Sequence, residues 1–184
     1  MTVPETFKTE NTILVLIDYQ ERLFPAMHDK ETLLDNVLKL VKGVNALGVP
    51  VLLTEQYPKG LGPTLPQIKE LLPEVMPLEK TCFDSLSEDN FSAALKASAR
   101  KQVLLAGIEA HICVYQTALS LARSGYQVQV VDDCCSSRSL HNKEIAMFKM
   151  GAAGISPTTT EMALFELLKV GRGDVFKQIS AIIK

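Results

Sequence analysis

Cys113 is the residue of this 184-residue chain that is best placed for nucleophilic chemistry. It follows an apolar run at 103–108 and a short loop, and it begins a helical pattern over 113–124 that Gly125 can end. A thiol at a helix N-terminus faces unpaired N–H groups and the positive end of the helix dipole, which both favour the thiolate. The sequence therefore predicts a thiol whose pKa falls from about 8.5 into roughly the 3.5–7.5 range. The same N–H groups are able to hold an oxyanion.

Asp18 is the candidate acid/base partner of this thiol. It ends the apolar run 12–18, which is typical of a parallel strand buried on both faces. Because ligands of open α/β sheets bind beyond the carboxyl ends of the strands, we expect Asp18 and Cys113 at one edge. Each residue also has an ordinary interpretation, as a loop-capping carboxylate and as a buried core thiol. Lys80, taken alone, is a solvated loop cation.

Buried strands and amphipathic helices alternate along the chain around these residues. Further strands are predicted at 51–54, 127–132 and 152–156, and helices around 34–44, 90–99 and 140–150, with a last helix that a Thr158–Glu161 capping box begins and Lys169 ends. This alternation is typical of an α/β fold with a parallel sheet and right-handed crossovers. No repeat or linker divides the pattern, so residues 1–184 are predicted to form a single domain.

Two segments depart from the alternation. Prolines and glycines punctuate 55–89, which predicts mostly loop, with at most a short helix near 67–72, packed over the active-site edge. The segment 174–184 is apolar at helical spacing. It either docks on its own core or forms a subunit contact, and the pattern does not choose between these.

The composition argues against several classes of partner and cofactor. The net charge is −2 with mixed signs, so no basic face indicates nucleic-acid binding, and no apolar run approaches membrane-spanning length. No nucleotide-binding glycine motif is present and the histidines are scattered, so we predict no cofactor and no metal site. The cysteines lack zinc spacing and no signal-peptide pattern precedes them, which predicts reduced thiols in a cytoplasmic protein. The adjacent Cys134 and Cys135 are accordingly predicted to be inert thiols rather than a disulfide.

Three motifs, taken in order, resemble those of the isochorismatase-like cysteine hydrolase superfamily over nearly the whole chain. They are Asp18 with the Tyr-Gln pair that follows it, Lys80 with Phe83, and the run 107–114. The segment 54–64 is similar to the branch called isochorismatase domain-containing proteins. The resemblance implies a three-layer Rossmann-like α/β fold with a six-stranded parallel sheet flanked by helices. It also implies a homo-oligomer, commonly a dimer, tetramer or octamer.

The same resemblance implies the residues of the site. Asp18, Lys80 and Cys113 would form a catalytic triad acting on a small-molecule substrate. A non-proline cis peptide bond would join Ile108 to Glu109, and it would aim the backbone N–H groups of Glu109 and Cys113 at one oxyanion.

Three aromatic residues are candidates for the wall of an apolar substrate pocket. They are Phe24, Tyr57 and Phe83. Each of them has an equally ordinary interpretation as a core residue.

Departures from the superfamily narrow the expected activity. Nicotinamidases, a related branch, bind a metal through a D-x-H motif after the second strand, where this chain has Thr54-Glu55-Gln56. The isochorismatases that cleave a vinyl ether typically lack the cysteine that is present here as Cys113. We therefore expect hydrolysis of a C–N bond, of an amide or carbamoyl type, through a thioester on Cys113. A catalytically silent oligomeric scaffold and a redox-active thiol protein with the same fold remain as alternatives.

Overall fold

Six parallel strands form the sheet at the centre of the computed structural model, which describes residues 5–184. The strands are β1 (Thr12–Ile17), β2 (Val51–Gln56), β3 (Leu78–Lys80), β4 (Gln102–Ile108), β5 (Gln127–Ser136) and β6 (Ser156–Thr158). They lie in the order β3-β2-β1-β4-β5-β6, and every neighbouring pair is parallel. The order reverses between β1 and β4, and such a switch point is where ligands bind in open α/β sheets.

Helices cover both faces of the sheet and give the molecule three layers. They are α1 (Lys30–Ala46), α2 (Pro58–Leu61), α3 (Pro66–Glu70), α4 (Asp89–Ala97), α5 (Tyr115–Arg123), α6 (Leu140–Ala152), α7 (Thr160–Leu168) and α8 (Asp174–Ile183). On β1, Leu14 and Leu16 face the core under α1, α7 and α8. Ile13 and Val15 face the second core, under α4, α5 and α6. A strand buried on both faces is apolar throughout, and the predicted Rossmann-like α/β fold with its six-stranded parallel sheet is confirmed.

The segment 55–89 is more regular than its prolines and glycines predict. It contains the short helices α2 and α3 and the edge strand β3. The expected helix near 67–72 is present as α3, whereas no sequence pattern predicts β3, because three residues are too few to show the alternation of a strand. As a result, Lys80 is the last residue of a buried strand end and not a solvated loop cation.

The start of α7 differs from the predicted capping box. Thr158 belongs to β6 and pairs with Val131 of β5, so the chain is still extended there. The N-cap is the next residue, Thr159, whose Oγ1 accepts a hydrogen bond from the Met162 N–H at 3.3 Å. The prediction that Thr158 caps this helix is therefore wrong, because the last strand lies at 156–158 rather than at 152–156.

The C-terminal segment docks on the core of its own chain. Ile179 of α8 is fully buried, and Ile182 and Ile183 pack against the same core cluster as α1 and α7. The ring of Phe176 lies 6.5 Å from that of Phe165, measured between centroids. Within residues 5–184, no helix combines the length and the apolar character that crossing a membrane requires.

Gly107 marks the closest approach of β4 to β1. A Cβ atom at this position would lie 2.5 Å from the Ile17 Cβ and 2.7 Å from the Ile17 carbonyl oxygen. These are atoms of a central strand, and Asp18 is the next residue, so neither can move without moving Asp18. We therefore predict that Gly107→Ala lowers the free energy of unfolding by about 1–3 kcal/mol, the usual cost of overpacking.

Urea denaturation measures this change, and Gly151 provides a matched control. Gly151 lies in α6, and a Cβ added there would have no neighbour within 4 Å. Gly151→Ala should leave the stability unchanged or raise it by about 0.5–1 kcal/mol, because alanine is the better helix former. Equal losses in the two variants would contradict a steric conflict at Gly107.

Candidate active site

Asp18 is the residue directly after β1, and its side chain is completely buried. Its backbone turns out of the sheet with a φ of 58°, in the left-handed region that aspartate tolerates better than most residues. Oδ1 accepts a hydrogen bond from Thr54 Oγ1 at 2.7 Å. Oδ2 lies 2.7 Å from Lys80 Nζ and accepts no hydrogen bond of good geometry from the described residues. A carboxylate oxygen has two acceptor sites, so Oδ2 retains the capacity to receive a proton.

Lys80 carries the opposite charge at the end of β3, with 1% of its side chain exposed. Three oxygens surround its ammonium group: Asp18 Oδ2 at 2.7 Å, Gln56 Oε1 at 2.6 Å and the Cys82 carbonyl at 3.3 Å. Gln56 and Cys82 accept hydrogen bonds from this ammonium, and Asp18 is its counter-charge. The buried charge is thus balanced by one carboxylate and satisfied by two neutral oxygens.

Cys113 lies in a π-helical turn, Ala110–Val114, which joins β4 to α5, and it is 6% exposed. The peptide bond between Ile108 and Glu109, just before this turn, is cis. π-helical turns of this kind are frequent at functional sites.

Burial raises the pKa of the Cys113 thiol to about 12, and the Asp18 carboxylate acts in the same direction. The Lys80 ammonium lowers the pKa, but by less. The predicted lowering of this pKa is therefore wrong, because loss of solvent and a neighbouring carboxylate outweigh the ammonium. The thiol is protonated in the resting protein, and a nucleophile would have to be generated by a base.

The structure brings Asp18, Lys80 and Cys113 together at the carboxyl edge of the sheet. Asp18 follows β1, Lys80 ends β3 and Cys113 follows β4. The carboxylate and the ammonium are paired directly, and both are close enough to the thiol for their charges and hydrogen bonding to affect its pKa. Their catalytic roles stay a prediction.

A thiol with this pKa should react slowly with alkylating reagents at neutral pH. Because only the thiolate reacts and the pKa is about 12, we expect the rate of Cys113 alkylation by iodoacetamide to rise about tenfold per pH unit from roughly pH 7 to 10. The tryptic peptide 102–123 contains no other cysteine, so mass spectrometry isolates this rate. Free glutathione in the same tube is the control and should level off above about pH 9. A plateau for Cys113 below pH 8 would restore the low-pKa interpretation.

Glu109 begins the loop that carries the nucleophile. Its backbone N–H has no acceptor within residues 5–184, so it is available to an oxyanion. Its carboxylate accepts hydrogen bonds from the Arg138 backbone N–H at 3.0 Å and from Arg138 Nε at 3.1 Å. His111 Nδ1 contacts Ser137 Oγ at 2.9 Å. The segment after β5 thus holds the loop, and Arg138 offsets a carboxylate that would otherwise repel an oxyanion; the role of the Glu109 and Cys113 N–H groups stays a prediction.

The three predicted pocket aromatics do not form one wall. Phe24 is buried in the core under α1, and it borders a cavity of about 250 Å³ on that side. Tyr57 is 56% exposed and lines a separate cavity of about 300 Å³ together with Lys80. Phe83 is about half exposed. Phe24 is therefore a core residue that borders a cavity of its own, apart from the one that Tyr57 lines.

Thr54 and Gln56 are site residues that the sequence interpretation missed. They lie two apart at the end of β2, so their side chains project from the same face of the strand. Thr54 contacts Asp18 and Gln56 contacts Lys80. These are the positions of the D-x-H motif, whose absence alone drew attention to them. Three consecutive polar residues at the end of an otherwise apolar strand are the signal that could have identified them.

Glu55 lies between them and projects from the opposite face of β2. Its Oε1 accepts hydrogen bonds from the Thr64 N–H and Oγ1, both at 2.7 Å. Gln20 Nε2 donates to the Gly62 carbonyl at 2.7 Å, and Arg22 Nη1 donates to the Gly60 carbonyl at 3.0 Å. The loop 57–64 is thus fixed beside the site by contacts from two segments.

Cys134 and Cys135 are free, buried thiols near the end of β5. Burial raises the pKa of both. Cys134 Sγ contacts Thr160 Oγ1 at 3.1 Å. Both are thus free thiols that burial keeps protonated, and their lack of reactivity stays a prediction.

The sequence matches a known protein family and is similar to curated members of it. Residues 12–162 match the family model described as the Isochorismatase domain. The chain is 38% identical over 176 residues to Isochorismatase domain-containing protein 2A of Mus musculus, covering 95% of this chain and 84% of that protein.

Solved structures are similar over the whole fold. The MAR1 ribonuclease from Caenorhabditis elegans superposes with a TM-score of 0.90 at 34% identity, covering 97% of this chain and 92% of that one. The YcaC gene product of Escherichia coli, described as an octameric hydrolase of unknown specificity, superposes with a TM-score of 0.93 at 25% identity, covering 99% and 91%. The matched residues 12–162 include Asp18, Lys80 and Cys113.

Proposed function

Because this chain belongs to the isochorismatase family and has the fold of its hydrolases, we propose that it is a cysteine-dependent hydrolase of small molecules. The bond cleaved is a C–N bond of an amide or carbamoyl type. The observation that carries the proposal is the buried ion pair of Asp18 and Lys80 beside the Cys113 thiol. Burying two charges costs several kcal/mol per ion before pairing, and such groups next to a nucleophile are typical of an active site.

In the proposed reaction, the Cys113 thiol transfers its proton to Asp18 Oδ2 as the sulfur attacks the substrate carbonyl carbon. The resulting oxyanion accepts hydrogen bonds from the Glu109 and Cys113 N–H groups. Asp18 then gives the proton to the leaving nitrogen, the C–N bond breaks, and an acyl thioester remains on Cys113. Water attacks the thioester and Asp18 takes up one of its protons; the C–S bond then breaks, Asp18 returns the proton to the sulfur, and the acid leaves with the Cys113 thiol restored.

A screen of small primary amides, ureas and carbamoyl compounds tests this function through the ammonia or amine released. Turnover should disappear in Cys113→Ala, and the wild-type protein mixed with a turned-over compound should show the mass of an acyl adduct on peptide 102–123. Cys82→Ala is the matched control, since that exposed thiol lies outside the proposed chemistry. If Cys113→Ala retains turnover, nucleophilic catalysis by this residue is wrong.

The alternatives are tested in the same assays. A redox-active thiol protein would consume hydrogen peroxide through Cys113 without releasing an amine. A silent scaffold would do neither. The C. elegans relative is named a ribonuclease, but the net charge of −2 gives no support for RNA as a substrate here. A fluorogenic RNA in the screen should remain uncleaved.

We also propose that the protein assembles into a homo-oligomer. The E. coli relative is described as octameric, and it matches this chain over its full fold. Light scattering of the purified protein should give a mass that is a multiple of 20.2 kDa. A mass equal to one chain at micromolar concentration would contradict this.

A further inference from the structure

Gln56 connects the ion pair to the segments around it, and all of its polar groups are engaged. Its Oε1 accepts a hydrogen bond from Lys80 Nζ at 2.6 Å, and its Nε2 donates to the Thr81 carbonyl at 2.8 Å. Its backbone N–H donates to Gln20 Oε1 at 2.8 Å, and its carbonyl accepts from Gln20 Nε2 at 3.0 Å. The carboxamide is therefore fixed in one orientation, with its oxygen directed at the ammonium.

We propose that Gln56 is a positioning residue for the hydrolytic reaction: its side-chain oxygen fixes the Lys80 ammonium against Asp18 Oδ2 without adding a charge. This rests on the proposed function. Three oxygens surround the ammonium: the charged Asp18 Oδ2 and two neutral oxygens that accept hydrogen bonds from it. Gln56 supplies the shorter of the two neutral contacts, and the other is a backbone carbonyl that no substitution of Cys82 removes.

The neutrality of this acceptor matters because the thiol senses both charges of the pair. Asp18 makes the Cys113 proton harder to remove and Lys80 makes it easier. A carboxylate at position 56 would share the ammonium between two anions, and the thiol would then face a net negative group. An apolar side chain would remove the acceptor 2.6 Å from the ammonium, and Lys80 would then bond more strongly to the sulfur, with which it already interacts. The two changes should therefore shift the pKa of the Cys113 thiol in opposite directions.

Alkylation of Cys113 by iodoacetamide tests this without a substrate. Gln56→Glu keeps the shape and reach of the side chain, and the rate at pH 8 should fall about tenfold, the effect of roughly one pKa unit. Gln56→Met keeps the length and removes the acceptor, and the rate should rise at least about threefold as the freed N–H stabilises the thiolate. Gln178→Glu, an exposed change on α8, is the matched control and should leave the rate unchanged.

If Gln56 had only a structural role, both substitutions would change the rate of Cys113 alkylation in the same direction. Opposite shifts of at least about threefold therefore support the proposal, and any other pair of results overturns it. Thermal unfolding establishes that each variant is folded at the assay temperature. Because this assay measures only the reactivity of the Cys113 thiol, its result is valid even if the protein hydrolyses no amide in the screen.

A compound that the wild-type protein hydrolyses gives a second test. Both variants should lower kcat with KM changed less than about twofold, because Gln56 acts through Lys80 and makes no contact with the substrate. A rise in KM with kcat unchanged would show that Gln56 binds the substrate, and would overturn the positioning role. Loss of kcat in Cys113→Ala remains the separate test of the reaction itself.

Discussion

Asp18→Asn is expected to abolish amide hydrolysis and, in the same protein, to speed the alkylation of Cys113. Asparagine has nearly the shape of aspartate and can still accept the hydrogen bond that Thr54 Oγ1 donates to Oδ1 at 2.7 Å. It cannot carry a proton from the thiol to the leaving nitrogen. Losing a general acid–base group lowers kcat by about 10²–10⁴-fold.

The faster alkylation follows from the charge that the substitution removes. The Asp18 carboxylate raises the pKa of Cys113, and only burial raises it more. Without this carboxylate, the Lys80 charge remains and favours the thiolate, so the pKa falls below its resting value of about 12. The rate of alkylation of peptide 102–123 against pH measures the change directly.

Asp133→Asn is the matched control for this variant. Asp133 is a carboxyl that is only partly buried, and it accepts hydrogen bonds from the Thr160 N–H at 2.9 Å and Oγ1 at 3.0 Å. Its removal should leave the alkylation of Cys113 unchanged. If Asp18→Asn slows alkylation instead, then Asp18 already assists the thiolate in the resting protein, and the order of proton transfer proposed above is wrong.

Lys80→Met is expected to lower the stability of the protein strongly. It leaves the Asp18 carboxylate buried without a counter-charge, and breaking a buried pair in this way costs about 3–5 kcal/mol. It also removes the one charge that lowers the pKa of Cys113, so alkylation at a given pH should slow further. Urea denaturation measures the first effect and the peptide 102–123 assay the second.

The double variant Asp18→Asn/Lys80→Met distinguishes the loss of stability caused by an unpaired charge from the loss caused by altered packing. With both charges removed, neither partner is left unpaired, so the double variant should be more stable than the sum of the single losses predicts. Lys39→Met is the exposed comparison, because Lys39 pairs with Asp35 at 2.9 Å on the surface of α1. The Lys39→Met substitution should lower the free energy of unfolding by about 0.3–0.5 kcal/mol. Additive losses at Asp18 and Lys80 would show that the pair is not coupled.

Much of the fold follows from patterns of apolar residues that can be recognised along the sequence. β1 and β4 lie between two helical layers, so both faces of each strand are buried and their sequences are nearly continuous apolar runs. The ends of these strands can therefore be identified from the sequence, and they predict that Asp18 and Cys113 lie on one edge of the sheet. β3 could not be read, because three residues on a sheet edge give neither a run nor an alternation.

The α/β architecture, the candidate nucleophile and one carboxylate beside it are all predictable from the amino-acid pattern, and the order of the motifs indicates Lys80. The protonation state of the thiol is not, because desolvation and the positions of two charges depend on how three strands are packed. The tertiary structure also revealed the roles of Thr54 and Gln56, whose partners lie on neighbouring strands. Hydrophobic patterns repeat along the chain and can be counted there, whereas buried electrostatics depends on contacts between residues far apart in sequence.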